Sequence, residues 1–218
     1  MPKIQAAQVA VTPFQQNCAL IWDAESARGT VIDPGGDVPR ILEAIARGGF
    51  AVDHILLTHG HLDHAGGAAE LQRALEATQG AKVPILGPDR RDEALLAGIA
   101  AQAAQYGIDG LADCVPDQWL AEGETVAIAG QDFAVLHCPG HTQGHLVFVS
   151  AALGFAVVGD VLFRGSIGRT DFPYGDHAAL IASIKDKLLP LGDEVRFLCG
   201  HGPGSTFGAE RRSNPFLQ

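Results

Sequence analysis

The fold of this chain is decided by Thr58-His59-Gly60-His61-Leu62-Asp63-His64, a stretch in which three imidazoles and one carboxylate occur within six residues. The apolar run Ile55-Leu56-Leu57 before it is typical of a buried strand, and Ala65-Gly66-Gly67 after it opens a helical pattern. The cluster is therefore predicted to lie in a strand-to-helix turn. Because alternate strand residues face the same side, the first two histidines can point together, while the aspartate and the last histidine follow after the bend.

Three apolar runs further along the chain each lead to a residue type that binds metals. They are residues 133–136 before His141, residues 155–158 before Asp160, and residues 195–198 before His201. Strand ends are rigidly placed, so ligands delivered in this way commonly gather at one edge of a sheet. The recurrence disfavours the alternative for the first cluster, an exposed polar loop with chance histidines. We predict a site for two divalent transition-metal ions, because imidazoles with carboxylates suit zinc, iron or manganese better than calcium.

Other polar residues near these strand ends are candidates for holding the imidazoles in place, a role that metal-binding histidines usually need filled. Asp33 follows a predicted strand, Thr142 is adjacent to His141, and His145 opens the next strand. We predict that these three side chains support the site rather than bind metal. For Asp33, capping of its own turn is an open alternative.

The composition indicates one α/β or α+β domain that spans residues 1–218. Apolar residues make up 47% of the chain, enough for a large core, and no segment resembles a linker. The formal net charge of -10 disfavours nucleic acid and anionic membranes as partners and leaves a small-molecule substrate. The sequence shows neither a basic and apolar leader nor the ~18 apolar residues of a membrane helix, so we expect a cytoplasmic protein. The four cysteines form no CxxC pair and are expected to be reduced and mostly buried.

Elements away from the cluster are predicted from periodicity and capping residues. Hairpin-like strands are predicted between residues 8 and 32, followed by a helix that Asp37 caps. A second helix is predicted over residues 176–189, capped by Asp176. Residues 89–119 combine an alanine-rich helical pattern with an irregular stretch. We expect this segment to form either a wall of the substrate pocket or a surface insertion.

With these residues identified, the chain resembles the metallo-β-lactamase superfamily over nearly its whole length. The matching motifs are H-x-H-x-D-H from His59 to His64, P-G-H-T around His141, G-D ending at Asp160, and G-H-G around His201. The resemblance implies an αββα sandwich, in which two mixed β-sheets are flanked by helices, with a dinuclear site at one edge. The ligands it implies are His59, His61 and His141 for one ion, Asp63, His64 and His201 for the second, and Asp160 as a bridge.

Two further motifs are similar to the glyoxalase II branch, the hydroxyacylglutathione hydrolases, and to their persulfide-dioxygenase relatives. One is GDVLFRGSIGRTDFP at residues 159–173, and the other is GHGPGST followed by ERRSNPF, which resembles the short single-domain bacterial members. The larger glyoxalase II enzymes carry a C-terminal helical domain with glutathione-binding residues, which we expect this chain to lack. The resemblance implies hydrolysis of a thioester, S-lactoylglutathione or a related hydroxyacylglutathione.

Thioester hydrolysis suits such a site chemically. Two metal ions, zinc before iron or manganese, can lower the pKa of a bridging water to roughly 7 and so supply a hydroxide that attacks a carbonyl. Asp63 could orient that hydroxide as well as bind metal. A thiolate, with a reference pKa of about 8.5, can leave with little proton assistance. Arg164 and Arg169 are candidates for binding an anionic substrate, although Arg169 could equally form an ion pair with Asp171.

Other functions stay open at this point. A mononuclear iron persulfide dioxygenase needs two histidines and one carboxylate, which the set contains. A lactonase or a β-lactamase fits less well, since no export signal is seen and Asp160 stands where β-lactamases often carry a cysteine. A non-catalytic metal-binding protein has no need of so asymmetric a ligand set. The native metal and the oligomeric state are not determined by the sequence.

Overall fold

The first of two sheets comes from the N-terminal part of the chain. In the computed structural model, which describes residues 3–218, this sheet has five strands in the order β1-β2-β3-β4-β5. Its strands are β1 Ile4–Val11, β2 Gln16–Asp23, β3 Arg28–Ile32, β4 Ala51–Leu56 and β5 Ile85–Leu86. Strands β1 to β3 pair antiparallel, whereas β4 and β5 are added in parallel, so the sheet is mixed.

The second sheet has six strands, and a separate hairpin follows its fourth strand along the chain. The strands are β6 Thr125–Ile128, β7 Gln131–His137, β8 Leu146–Ser150, β9 Phe155–Val157, the hairpin β10 Leu162–Phe163 with β11 Ser166–Ile167, and then β12 Arg196–Leu198 and β13 Ser205–Thr206. The strand order in the sheet is β13-β12-β9-β8-β7-β6. Only β9 and β12 pair in parallel, so this sheet is mixed as well.

Seven α-helices and a few tighter or wider turns connect the strands of the described residues. The helices are α1 Val38–Gly48, α2 Leu62–Ala65, α3 Ala68–Gln79, α4 Glu93–Leu96, α5 Ile99–Tyr106, α6 His177–Ala182 and α7 Phe207–Ser213. A π-helical segment, Ser183–Leu188, continues α6, and 3₁₀ turns lie at Arg90–Asp92 and Leu189–Leu191.

The two sheets face each other across an apolar core. Ile21 and Leu56 of the first sheet pack against Phe133 and Phe148 of the second. Helices α1 and α3 cover the outer face of the first sheet, and α6 and α7 cover the outer face of the second. This αββα arrangement of two mixed sheets confirms the predicted fold. It also places the C-terminal ends of β4, β7, β9 and β12 where their following loops can meet.

Local departures from the predictions have physical reasons. Asp37 occupies the N-cap position of α1 at φ 49°, but its carboxylate accepts from the backbone N–H of Thr12 at 2.8 Å and does not cap the helix. Asp176 does cap, accepting from the N–H of Ala179 at 2.9 Å. The alanine-rich pattern after residue 89 predicts one helix, yet it divides into a 3₁₀ turn, α4 and α5, with the second break at Gly98, the residue with the lowest helix propensity there.

The environment of the cysteines and the length of the helices bear on two further predictions. Cys18, Cys114, Cys138 and Cys199 are all free and buried, as expected. Burial raises the pKa of the Cys138 thiol to about 12, which keeps it protonated. Within residues 3–218, none of the helices has the length and apolar character needed to cross a bilayer.

Candidate metal centre

Four strand ends from both sheets deliver ligand-type side chains to one edge of the sandwich. The loop after β4 and the helix α2 that follows it carry four of them, and the loops after β7, β9 and β12 carry one each. The structure thereby brings together all seven residues predicted to bind metal: His59, His61, Asp63, His64, His141, Asp160 and His201.

The first group of donors is formed by His59, His61 and His141, whose ring nitrogens lie within 4.8 Å of one another. Nδ1 of His61 is 3.1 Å from Nε2 of His59 and 2.9 Å from Nε2 of His141. All three residues are buried. Nitrogens this close repel one another unless a proton or a cation lies between them.

Hydrogen bonds behind the rings decide which nitrogens carry protons. Nδ1 of His141 lies 2.8 Å from the carbonyl oxygen of Arg169, which can only accept, so Nδ1 is the donor. The Thr58 hydroxyl donates to Asp33 at 2.6 Å, so its oxygen accepts from Nδ1 of His59 at 3.0 Å. The Nε2 atoms of both histidines therefore carry lone pairs that point into the group.

The second group of donors is formed by Asp63, His64 and His201. Nε2 of His201 lies 3.3 Å from Oδ2 of Asp63, and Nε2 of His64 lies 3.9 Å from the same oxygen. Nδ1 of His64 donates to Asp33 at 2.9 Å, which leaves its Nε2 facing the group without a proton when the ring is neutral. Asp33 also accepts the backbone N–H of Thr58 at 2.7 Å, so it lies behind the imidazoles rather than capping its own turn.

Asp160 lies between the two groups. Its Oδ1 is 3.4 Å from Nε2 of His64, and its Oδ2 is 3.5 Å from Nε2 of both His141 and His201. Gly200 makes room for this carboxylate, because a Cβ built there would lie 2.0 Å from Oδ1. A single carboxylate thus faces imidazoles of both groups, the position expected of a bridging ligand.

Burial and the mutual proximity of the groups shift their pKa values in opposite directions. Burial lowers the pKa of His59 and brings that of His61 to about 3, so both imidazoles are neutral at neutral pH. Burial also opposes a charge on His64, but Asp160 and Asp63 outweigh it and raise the pKa of this imidazole. Burial disfavours the ionised form of Asp160 too, yet its neighbours, His64 foremost, lower the pKa of this carboxyl. His59 and His61 are therefore neutral, and the second group attracts positive charge.

The donors fit two divalent cations. Within the described residues, Nε2 of His64 and Oδ1 of Asp160 are buried and have no hydrogen-bond partner. Buried polar atoms without a hydrogen bond are destabilising, and a cation between these two would satisfy both once the His64 nitrogen has lost its proton. Imidazole nitrogens and carboxylate oxygens are the donors that zinc, iron and manganese take in proteins.

His145 lies behind the site, where the sequence predicts a supporting residue. Its ring stacks on that of His59, with centroids 4.5 Å apart and planes 18° apart. Its Nε2 accepts the backbone N–H of Asp160 at 3.0 Å. His145 thereby contacts one ligand from each of two strand ends.

Asp92 is a buried carboxylate that no sequence pattern singles out. It accepts from the Thr142 hydroxyl at 2.7 Å and from the backbone N–H groups of Gly60 at 2.9 Å and Gly144 at 2.6 Å. Burial raises its pKa, although these three donors oppose the shift. Asp92 therefore ties the two histidine-bearing loops together, and Thr142 contributes through it.

Tyr174 is a second functional candidate that the sequence does not reveal. Its hydroxyl lies 2.8 Å from Nε2 of His61, and its ring stacks on Phe172 with centroids 5.2 Å apart. The guanidinium of Arg169 lies 4.4 Å from the centre of the Phe172 ring on the same loop. Since the Arg169 carbonyl also accepts from His141, residues 169–174 contact two of the three buried imidazoles from outside.

A cavity of about 400 Å³ opens beside both groups of donors. The ligand-type residues in its lining are His61, Asp63, His141, Asp160 and His201. Arg169 lines it too, but its guanidinium is paired with Asp171 through two 2.7 Å hydrogen bonds. Arg164 is exposed and is not part of this lining, so the structure gives no support to the substrate contact predicted for it. A larger cavity, about 730 Å³ beside Phe197, has none of the donors in its lining and is remote from the chemistry.

Comparison with known proteins agrees with this architecture. A family model described as the metallo-beta-lactamase superfamily matches residues 11–201. Hydroxyacylglutathione hydrolase GloC of Haemophilus influenzae is 45% identical over 210 residues, which cover 96% of each chain.

Two solved structures resemble the chain over almost its whole length. TTHA1623 in a di-iron-bound form has a TM-score of 0.84 at 38% identity, covering 97% of this chain and 100% of that one. The B3 metallo-beta-lactamase BLEG-1 has a TM-score of 0.85 at 31% identity, covering 98% and 99%. The same fold thus occurs in a protein described as binding two irons and in one described as a B3 metallo-beta-lactamase.

Proposed function

The chain belongs to the metallo-beta-lactamase superfamily and is a metal-dependent hydrolase, and from that premise we propose that its substrate is a 2-hydroxyacyl thioester, S-lactoylglutathione first. The observation that carries the proposal is the place of Asp160, which lies within 3.5 Å of imidazoles from both donor groups and so favours two ions over one. The similar protein from Haemophilus influenzae, named as a hydroxyacylglutathione hydrolase, supports the substrate class. We further propose zinc as the native ion, ahead of iron or manganese, and the cytoplasm as the location.

Each of the two donor groups would hold one ion. His59, His61 and His141 would hold one ion, and Asp63, His64 and His201 the second, with Asp160 shared. When bound, two such ions supply a Lewis acid for the thioester carbonyl and an acidified water as the nucleophile.

Asp63 is suited to orient the attacking water. Burial opposes its ionised form, but His64 and His201 lower its pKa, so the carboxylate is ionised at neutral pH and accepts hydrogen bonds. It also lines the cavity, where a water between its carboxylate and the substrate can be held in one orientation.

The leaving group explains why a thioester suits this site better than an amide. A thiolate with a reference pKa of about 8.5 departs without a proton donor. An amide nitrogen needs a proton as it leaves. In the described lining, the imidazoles of His61, His141 and His201 are committed to the donor groups, and the pKa of the Tyr174 hydroxyl is raised by burial to about 12. Two divalent cations against two carboxylates also leave the site positive, which favours an anionic substrate in spite of the acidic chain.

The proposal is tested on protein purified without chelators. Bound metal is counted by mass spectrometry, thiol release from S-lactoylglutathione is followed with a thiol reagent, and oxygen uptake is recorded with glutathione persulfide. We expect nearly two ions per chain, thiol release without oxygen uptake, and loss of activity on chelation that added metal restores. One iron per chain with oxygen uptake and no thiol release would instead identify a dioxygenase. Hydrolysis of a chromogenic β-lactam without thioester cleavage would identify a lactamase.

A further inference from the structure

Two exposed aromatic side chains face each other at the mouth of the active-site cavity. Phe14 is 41% exposed and Tyr106 is 63% exposed, yet both line the cavity. Their ring centroids are 5.8 Å apart and their planes are nearly perpendicular, at 88°. Exposed apolar side chains that meet beside a functional cavity indicate a contact surface for a ligand.

Phe14 is held in place by the hairpin between β1 and β2. Its backbone N–H donates to the Thr12 hydroxyl at 3.2 Å, and the N–H of Gln15 donates to the Thr12 carbonyl at 3.1 Å. The backbone N–H of Thr12 in turn donates to the carboxylate of Asp37 at 2.8 Å. The hairpin tip is thus anchored to α1, so the Phe14 ring is presented without a large loss of loop entropy on binding.

Tyr106 is held in place by the end of α5. Gly107 stops the helix at φ 67°, with its N–H donating to the Ala104 carbonyl, so Tyr106 stands in the last turn. The buried Ile99 at the start of the same helix packs into the core, and α5 contacts α2. Gln102 and Tyr106 of α5 line the cavity, so this helix forms part of its wall, the first of the two roles expected for residues 89–119.

The remaining residues that line the cavity include more aromatic side chains than unpaired cationic ones. Phe163, Phe172 and Tyr174 line the same cavity. Arg169 is the only lysine or arginine in its described lining, and it is already paired with Asp171. Glutathione carries two carboxylates, and this cavity offers them few ionic contacts. A planar apolar group, in contrast, finds several aromatic rings on which it can stack.

Resting on the proposed thioester hydrolysis, we propose that Phe14 and Tyr106 select substrates that carry a phenyl group, on the acyl or on the thiol side of the thioester bond. The ring of the substrate packs against this edge-to-face pair while the carbonyl reaches the donor groups. The preference is then a property of the cavity mouth rather than of the metal ligands.

The test compares kcat/KM for three thioesters. S-lactoylglutathione is the reference, S-mandeloylglutathione places a phenyl on the acyl side, and the benzyl thioester of lactate places it on the thiol side. We expect at least one phenyl substrate to exceed the reference by about 3- to 10-fold, the range of an aromatic pair. Phe14→Ala and Tyr106→Ala should each bring the kcat/KM of the phenyl substrate down to that of the reference. Tyr106→Phe, which keeps the ring, should preserve the difference.

The matched control is Phe216→Ala, because Phe216 is 49% exposed and lies outside the lining of the cavity. This substitution should leave the ratio unchanged, and circular dichroism confirms that each variant is folded. If all three thioesters are cleaved with equal efficiency, or the ratio survives both alanine variants, aromatic selection is wrong while thioester hydrolysis stands. If no thioester is cleaved, the proposed function fails and the selection fails with it.

Discussion

The hydroxyl of Tyr174 lies 2.8 Å from Nε2 of His61, on the side of the imidazole that faces away from the other donors. With a cation bound to Nδ1 of His61, Nε2 of the neutral ring would carry the proton and the Tyr174 oxygen would accept it. Such a contact orients a metal-binding ring and makes it a better donor. The loop of residues 169–174 therefore contacts a proposed metal ligand directly.

Tyr174→Phe should weaken metal binding at the three-imidazole group by about 10-fold or more, the usual cost of losing a partner behind a ligand. The stack on Phe172 survives the change, so the fold should not respond. Affinity is measured by competition with a chromophoric chelator. Tyr106→Phe removes a hydroxyl from the same cavity without touching an imidazole, and its affinity should equal that of the wild type. Equal affinities in both variants would show that His61 needs no partner.

Asp92→Asn should destabilise the protein by about 2 kcal/mol, because the amide nitrogen must face at least one of the three hydrogen-bond donors around it. Unfolding in urea measures the change. Asp113→Asn is the matched control, since Asp113 is exposed and accepts only the backbone N–H of Ala100. If Asp92→Asn lowered the free energy of unfolding no more than the control does, Asp92 would not be holding the two loops together.

Metal affinity of the second group should fall as the pH is lowered, because His64 must give up a proton, whereas His59 and His61 of the first group add no such dependence. Asp160 and Asp63 overcome the effect of burial and raise the pKa of His64, so below the raised pKa the imidazole holds a proton that a metal must displace. His61, with a pKa lowered to about 3 by burial, holds none in this range. Each released proton changes the affinity by about 10-fold per pH unit. Calorimetric titrations between about pH 6 and pH 8, in buffers of different ionisation enthalpy, count the protons released. If metal binding at the second group released no protons, the raised pKa assigned to His64 would be contradicted.

Sequence patterns located the ligand-type residues because each follows an apolar run, and such a run marks a strand whose end is spatially defined. No pattern in the sequence indicates Asp92 or Tyr174. Asp92 follows two exposed arginines and would be expected to face solvent, and Tyr174 stands in a loop without periodicity. Both act through tertiary contacts between segments far apart in the chain. Arg164, a charged residue inside a resembling motif, is exposed and absent from the lining of the cavity, so its substrate contact stays a prediction.

Asp160→Ala should abolish turnover far more completely than His145→Ala, although both residues lie at the site. Asp160 is the carboxylate that faces His64 in the second group and His141 in the first, so its loss removes a proposed ligand from each ion. It also removes the negative charge that offsets the repulsion between two neighbouring cations. We expect at least one ion to be lost.

His145 supports the site through the Asp160 backbone and the His59 ring, so His145→Ala should reduce metal affinity or activity by about 10- to 100-fold and no further. His145→Gln, which keeps an acceptor for the Asp160 N–H, should recover part of that loss. Metal content and kcat are measured on the same preparations, after gel filtration to remove weakly bound ions. If His145→Ala lost both ions while Asp160→Ala kept them together with its rate, Asp160 would not bridge the two groups. The carboxylate would then only neutralise His64.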